Sequence, residues 1–468
     1  MRVIISSKVI PHNRHPPWLF RVRSSTSFII TTVWMSTFTD FLLYAMIVPV
    51  MPSALMTRAS VEYNDREYWI SVLLMCEAGA SLLLCPVFGY LVDTARTRKL
   101  PFVGALVMLA CSMAILQVSH SLAMFIAGRL LQGAAGALVV VAGFAVLSDS
   151  VSQECLGQTI GYLGSAIASG FLLGPFFGGF VYDTLGYDAV FWVTHAIIVV
   201  DLTLRVAMIE KGTVALWMQK PDGGAVLNTD HEAESGTVLE SDHSSGLNRF
   251  PMVQMLKQRR VLISSWALLV HGILLSAFDA TLSIFVETRY GWSALGMGLI
   301  FLPLAIPAFF EPLFGYITDR YGARFVAFAF FFLLSPTLIC LRFVEANTPP
   351  NIALLVILLL LSGIFIHGCA PAMYVETQLA LAEMELERPD SLGKKGAVAQ
   401  GFGLQCMCQF IGVFFGPLWG GFMNHQFGWE TMSGTLGVLA ALTAMSMLFL
   451  GEFEDGYEED GERRPLFG

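Results

Sequence analysis

The chain has 468 residues, 55% of them apolar and only 13% charged, about half the usual share of charge. Its net charge of −9 is concentrated in one internal stretch and the C-terminal end, and no basic patch suggests nucleic acid. That balance excludes an ordinary soluble enzyme. No nucleotide-binding loop, catalytic constellation, cofactor site or metal-ligand cluster is expected.

Residues 1–26 form a basic, Pro- and His-containing segment without the compact apolar core of a cleaved signal peptide. The first spanning helix is therefore expected to direct insertion. Apolar runs of roughly 20 residues, enough to cross a bilayer, follow at Ser27–Pro52, Trp69–Leu91, Leu100–Ser119, Leu122–Ser148, Gly157–Tyr182 and Tyr187–Ile209. Together these make a six-helix bundle over residues 27–209. A polar, acidic linker over residues 210–258 comes next. A second set lies at Val261–Val286, Trp292–Thr318, Ala323–Phe343, Asn351–Leu379, Gly396–Met423 and Glu430–Leu450, within residues 259–450. An acidic tail, residues 451–468, closes the chain. The predicted class is an all-α membrane protein of 12 spans in two bundles of six. Most of the 27 Lys and Arg fall on the side of both termini and the linker, which places that side in the cytoplasm.

The two halves repeat one signature. Gly170, Gly174, Pro175, Gly178 and Gly179 in the fifth span recur as Gly412, Gly416, Pro417, Gly420 and Gly421 in the eleventh. A Gly-aromatic pair follows each at matched distance, Gly186-Tyr187 and Gly428-Trp429. Glycine at every fourth position flattens a helix face so that backbones can touch in lipid. The proline removes a helical hydrogen bond and bends the helix unless neighbours compensate. A duplicated membrane bundle of transporter type follows. Of eight cysteines only Cys155 lies clearly outside the spans, so a disulfide framework is not expected. Cys406 and Cys408 point to different helix faces and are read as packing residues, not metal ligands.

Further motifs appear in order. Asp40 to Pro52 (Asp-Phe-Leu-Leu-Tyr-Ala-Met-Ile-Val-Pro-Val-Met-Pro) lies in the first span, and Arg129-Leu-Leu-Gln132-Gly133-Ala-Ala-Gly136 in the fourth. Gly89-Tyr-Leu-Val-Asp93-Thr-Ala-Arg96-Thr-Arg98-Lys99 follows the second span, with an echo at Gly315-Tyr-Ile-Thr-Asp319-Arg320-Tyr-Gly322-Ala-Arg324. With the glycine motif, the chain from about Phe28 to Leu450 resembles the major facilitator superfamily. It is most similar to the twelve-helix drug:proton antiporters and their vesicular-amine-transporter-like fungal members. The resemblance implies proton-coupled antiport of lipophilic small molecules, cations among them, by alternating access. It implies a monomer whose partners are substrate, protons and the lipid bilayer. The acid that amine-transporter relatives carry early in helix eleven corresponds to a position near Cys406.

Each candidate residue has two readings. A carboxyl in hydrocarbon must pair, face water or carry a proton, so Asp40 is expected to carry the proton rather than cap a helix. Arg129 is placed by the resemblance near that acid, and its plain alternative is a packing cation held by carbonyls. Tyr44 and Gln132, one turn from Asp40 and Arg129, are expected to line the cavity. Asp279, Glu376 and His367 are expected to line it too, the last two at a Gly363/Gly368/Pro371 interruption of helix ten. Glu77 is read equally as cavity lining or as bonded to a neighbouring helix. Glu311 is assigned to a gate network, and Asp201 with Arg205 to a local ion pair. Gly89, Asp93, Arg96, Asp149, Asp319 and Arg320 form the expected cytoplasmic gate, an acid facing a helix N-terminus acting as a breakable latch. Two other functions stay open: a proton symporter or facilitator of a metabolite, and a non-transporting membrane sensor. The membrane is plasma or vacuolar/vesicular on either reading.

Overall fold

A computed structural model describes residues 18–63, 65–210, 251–292, 294–344, 346–387, 392 and 397–448. The N-terminal segment up to residue 17, most of the linker and the acidic tail lie outside the described residues. The described residues form helices and no strand. The first half comprises α1 (Thr26–Ile47), α2 (Arg66–Thr94), α3 (Lys99–Gln117), α4 (Leu122–Ser148), α5 (Leu156–Leu185) and α6 (Tyr187–Ala207). The second comprises α7 (Arg259–Tyr290), α8 (Gly296–Tyr321), α9 (Ala323–Cys340) and α10 (Pro349–Glu387), followed by α11 and α12. The last two are one 51-residue stretch, Val398–Leu448, broken at Gly428, where φ is 81° and ψ 169°. At 1.5 Å per residue such a stretch is about 75 Å long, far beyond one bilayer core. It is therefore two spans, residues 398–427 and 429–448, and the expected twelve are present.

The duplicated Gly-aromatic pairs explain how two spans join without a loop. Gly186 and Gly428 both take positive φ, +85° and +81°, which only glycine adopts readily. The chain reverses there, and the following aromatic pins the new helix. Tyr187 Oη donates to Leu116 O at the end of α3 at 2.6 Å, and Trp429 Nε1 to Leu341 O just past α9 at 3.1 Å. Each ring thus ties the sixth helix of its half to the third.

The glycine faces act within each half. A Cβ at Gly170 would lie 2.7 Å from Leu42 N, and ones at Gly174 and Gly178 would strike Ala45 and Met46, so α5 lies directly on α1. Gly412, Gly416 and Gly420 set α11 on α7 in the same way. Gly179 and Gly421 have nothing near them, and Pro175 sits on the exposed side of an unbroken helix. Close approach is therefore the work of three glycines in each repeat.

The interruption expected in α10 does not occur. Pro371 sits inside a continuous helix. Gly363 admits Leu304 O of α8, 2.5 Å from where a Cβ would be, and Gly368 admits the Phe330 ring of α9. The broken span is instead α8, which passes through two short helical pieces and a 3-10 turn before its regular segment at Glu311–Tyr321. Pro303, Pro307 and Pro312 each withhold an N–H from it.

Candidate functional site

We call the end where α1 begins the base and the opposite end the mouth. At the base, α2 crosses α11 and α5 crosses α8. Gly89 brings α2 so near that a Cβ would stand 2.8 Å from Ala399 O, and Gly315 lies equally close on Gly157. The acid one turn on from each glycine then caps a helix of the other half. Asp93 accepts from Ala399 N at 3.1 Å and Gln400 N at 2.9 Å, at the start of α11. Asp319 accepts from Gly157 N at 2.7 Å and Gln158 N at 2.8 Å, at the start of α5. Free N–H groups and the positive end of the helix dipole both favour a carboxylate there. The base is shut by two equivalent latches.

Arginines brace these latches, though not the ones expected. Arg96 and Arg320 are exposed. Arg98 and Arg324, at equivalent places in the two motifs, make the ion pairs instead, Arg98 at the Asp93 latch and Arg324 at Glu376. Arg98 is buried, donates to Ala145 O at 2.8 Å, and meets Asp149 at 2.8 Å and Asp93 at 3.7 Å. Arg324 and Arg260 both bind Glu376 Oε1, at 3.1 and 2.7 Å, and Arg260 also bonds Glu383. Glu376, expected in the cavity, is thus part of the base network. Above the latches Phe144 of α4 stacks with both Tyr374 and Phe402, centroids 4.7 and 4.9 Å away and 6.1 Å from each other, and this three-ring cluster joins the two halves.

Nearer the mouth, α1 and α7 have no substantial contact, and the remaining candidates collect around that opening. Asp40 is 6% exposed and has no ion pair or hydrogen bond among the described residues. One oxygen rests 2.9 Å from where a Cβ on Gly136 of α4 would be, so that glycine makes room for the carboxyl. Arg129 does not reach Asp40. Its Nη1 donates to Gln132 Oε1 at 2.7 Å, and its guanidinium lies over the Tyr44 ring at 5.3 Å. Glu77 of α2 is close enough to interact electrostatically with Asp40, Tyr44 and Arg129. Asp279 is exposed on α7, yet within electrostatic reach of Tyr44, which sets it across the open cleft. Arg129 Nε and Gln132 Nε2 are buried donors with no partner among the described residues. Glu77 therefore links the Asp40 carboxyl to the Tyr44–Arg129 pair, and Asp279 faces the phenol from α7. Asp40 is also within electrostatic reach of Asp201 and Arg205. The sequence had left Glu77 between cavity lining and a helix contact.

Two other buried networks complete the picture. Asp201 and Arg205 form the expected pair at 2.8 Å, fully buried, and extend it to Ser36 of α1 and the Phe102 carbonyl of α3. That network fastens three helices of one half. In the other half, His367 does not line the open cleft. Its Nδ1 lies 2.7 Å from Glu311 Oε1, where α8 meets α5.

Comparison with known proteins follows the geometry. The model of the Major Facilitator Superfamily matches residues 33–374 and 265–466. The chain is 31% identical to "MFS-type transporter ppzB" of Metarhizium rileyi, over 94% of this chain and 98% of that protein. It is 32% identical to "Uncharacterized MFS-type transporter C18.02" of Schizosaccharomyces pombe, covering 89% and 94%. It is 26% identical to "Probable vesicular acetylcholine transporter-B" of Danio rerio, covering 64% and 55%. The crystal structure of the human organic anion transporter MFSD10 superposes with a TM-score of 0.68 over 90% of this chain and 99% of that one, at 18% identity. At that identity the likeness is one of fold.

Proposed function

The chain belongs to the Major Facilitator Superfamily, and on that premise we propose that it exchanges protons for lipophilic, cationic small molecules. The observation that carries this reading is the acidic cleft, in which Glu77 lies within electrostatic reach of Asp40 and Arg129, Asp279 faces Tyr44, and the cation within reach of Asp40, Arg205, is already paired with Asp201. Ionised carboxylates in a low-dielectric site demand a counter-charge. A proton on Asp40 or an organic cation over Tyr44 supplies it, and each makes the other redundant. Occupants that exclude one another on a carrier that must be loaded to turn give obligatory exchange. Tyr44, which already stacks with Arg129, offers a second organic cation the same ring chemistry. A relative named for acetylcholine, itself a cation, supports the charge assignment.

On this reading the base is the cytoplasmic side, as the Lys/Arg distribution argues, and the monomer alternates in a plasma or vesicular membrane. The purified chain in liposomes, loaded with a fluorescent lipophilic cation, tests it. An imposed pH gradient drives efflux in the wild type and no longer does so in Asp40→Asn. Flux that ignores the gradient, or a variant that keeps wild-type coupling, defeats the proposal.

A further inference from the structure

The two base crossings are built from one repeated segment, and they differ at one place. Cys85-Pro86-Val-Phe-Gly89 of α2 corresponds to Glu311-Pro312-Leu-Phe-Gly315 of α8. On the receiving helices, Ala399, Gly403 and Cys406 of α11 correspond to Gly157, Gly161 and Gly164 of α5. Where α2 meets α11, a thiol faces a thiol. Cys85 and Cys406 are both buried and close enough to interact, and Gly403 lies on the Cys85 carbonyl. Where α8 meets α5, a carboxyl faces bare backbone. The Glu311 side chain fills the space a Cβ on Gly164 would take, and the Glu311 carbonyl fills that of Gly161. One crossing closes without a charge, so the acid in the other is not required for closing. A buried acid that the fold does not need marks a function.

Its surroundings say which. Glu311 is 8% exposed, and His367 of α10 meets it at 2.7 Å. Tyr374 of α10 is within electrostatic reach of Glu311, and His271 of α7 within reach of His367, while Gly161 and Gly164 of α5 lie against Glu311. Tyr374 donates to Gln409 Oε1 at 2.5 Å, so its phenol is already engaged. Among the described residues no Lys or Arg pairs with Glu311 or His367. One proton shared by a carboxyl and an imidazole leaves the pair neutral wherever that proton sits. None leaves a buried anion and two a buried cation, each costly in such a place.

We propose that Glu311 and His367 form a second proton site, separate from the Asp40 cleft, occupied when α5 lies on α8 and emptied to the base side when α5 withdraws. The inference rests on the proton-coupled reading above and adds to it a proton carried by the second half. Because α5 supplies the glycine wall, opening the base and wetting the pair are one motion. Closing takes up a proton and opening gives it back, so the opening constant rises with pH by up to about tenfold per unit for a single linked proton.

Hydrogen–deuterium exchange on the full chain in lipid nanodiscs tests this. Exchange of the first turns of α5, corrected for the intrinsic pH dependence of amide exchange, reads opening of the base without any substrate. We expect protection in the wild type to fall by about tenfold per pH unit across a transition, and that slope to be lost in Glu311→Gln and in His367→Gln. Glu311→Cys installs the first-half residue at the same place and serves if the glutamine variant fails to fold. Asp40→Asn separates the two sites. A slope kept by Asp40→Asn and lost by the Glu311 variants supports the proposal. A slope lost only in Asp40→Asn overturns it and leaves the antiport reading standing. A flat wild-type profile overturns it as well, and gradient-driven efflux then decides the antiport reading alone.

Discussion

The twin latches make a quantitative claim. Asp93 and Asp319 each accept two N–H groups at the first turn of a helix in the opposite half, over 2.7 to 3.1 Å. A hydrogen bond to a charged group contributes about 1.5–3 kcal/mol, and a neutral one about 1 kcal/mol. Replacing either acid by Asn removes one bond, weakens the other and discards the favourable term at the helix end. The loss is about 2–3 kcal/mol per latch, all of it from the closed base. At 1.4 kcal/mol per decade the open population rises about 30- to 140-fold in either single variant. Pseudo-symmetry predicts the same effect for Asp93→Asn and Asp319→Asn, although Asp93 also has Arg98 nearby. Cys85 and Cys406 report it, since both are buried at the α2–α11 crossing and are freed when it parts. Their alkylation by a maleimide, followed peptide by peptide by mass spectrometry, accelerates by that factor in both variants. Rates within twofold of wild type, in protein that keeps its helical content, would refute the latch.

The other predictions concern packing and the cleft. Gly178→Leu and Gly420→Leu drive a side chain into α1 and α7, cost about 1–3 kcal/mol each and lower the melting temperature, whereas Gly179→Leu and Gly421→Leu, with nothing near them, leave it unchanged. Fluorescence melting in detergent distinguishes the two pairs. Arg205→Ala strands Asp201 as a buried anion and destabilises by about 3–5 kcal/mol; the double Asp201→Ala/Arg205→Ala variant recovers part of that loss in the same melt. Arg129→Lys keeps a charge but not the flat guanidinium that rests on Tyr44 and holds Gln132. It lowers gradient-driven efflux by about tenfold, equivalent to about 1.4 kcal/mol, while the melting temperature stays near wild type. Equal efflux rates would remove Arg129 from the cleft mechanism.

Hydrophobic runs, glycine spacing and the repeat made the twelve spans and two halves legible, because each is a property of a single helix. The Gly170/Gly174/Gly178 face is a case in point: its period shows a flat surface, though not that α1 covers it. What escaped the sequence was always a choice of partner. Arg96 and Arg98 are two residues apart in a loop, where no helical period tells which one turns inward. The resemblance placed Arg129 near Asp40, and the Gln132 and Tyr44 contacts take the place of that pair. Glu376 was misread through the Gly363/Gly368/Pro371 stretch: two glycines and a proline seemed enough to break α10, but the helix runs on, and the break falls in α8, where three prolines crowd together. The correspondence of Cys85 with Glu311 was present in the repeat from the start. It acquired meaning only when Gly164 and Cys406 were seen to face them.

The latches also constrain how the carrier turns. Two caps of about 2–3 kcal/mol each would hold the base shut permanently unless closing the mouth released a comparable amount. Closing the mouth brings Asp279 of α7 toward Asp40, Glu77 and Arg129. With all three acids ionised this buries two uncompensated negative charges, and the penalty of several kcal/mol for each buried ion forbids the step. One of those charges is met by a proton in every loaded state, and the other by either a second proton or an organic cation. On the proposed exchange reading, the empty carrier therefore stays open at the mouth, and only a loaded one crosses. That is the condition that separates exchange from leak. It follows from the ratio of acids to bases in the cleft and not from the shape of any single residue.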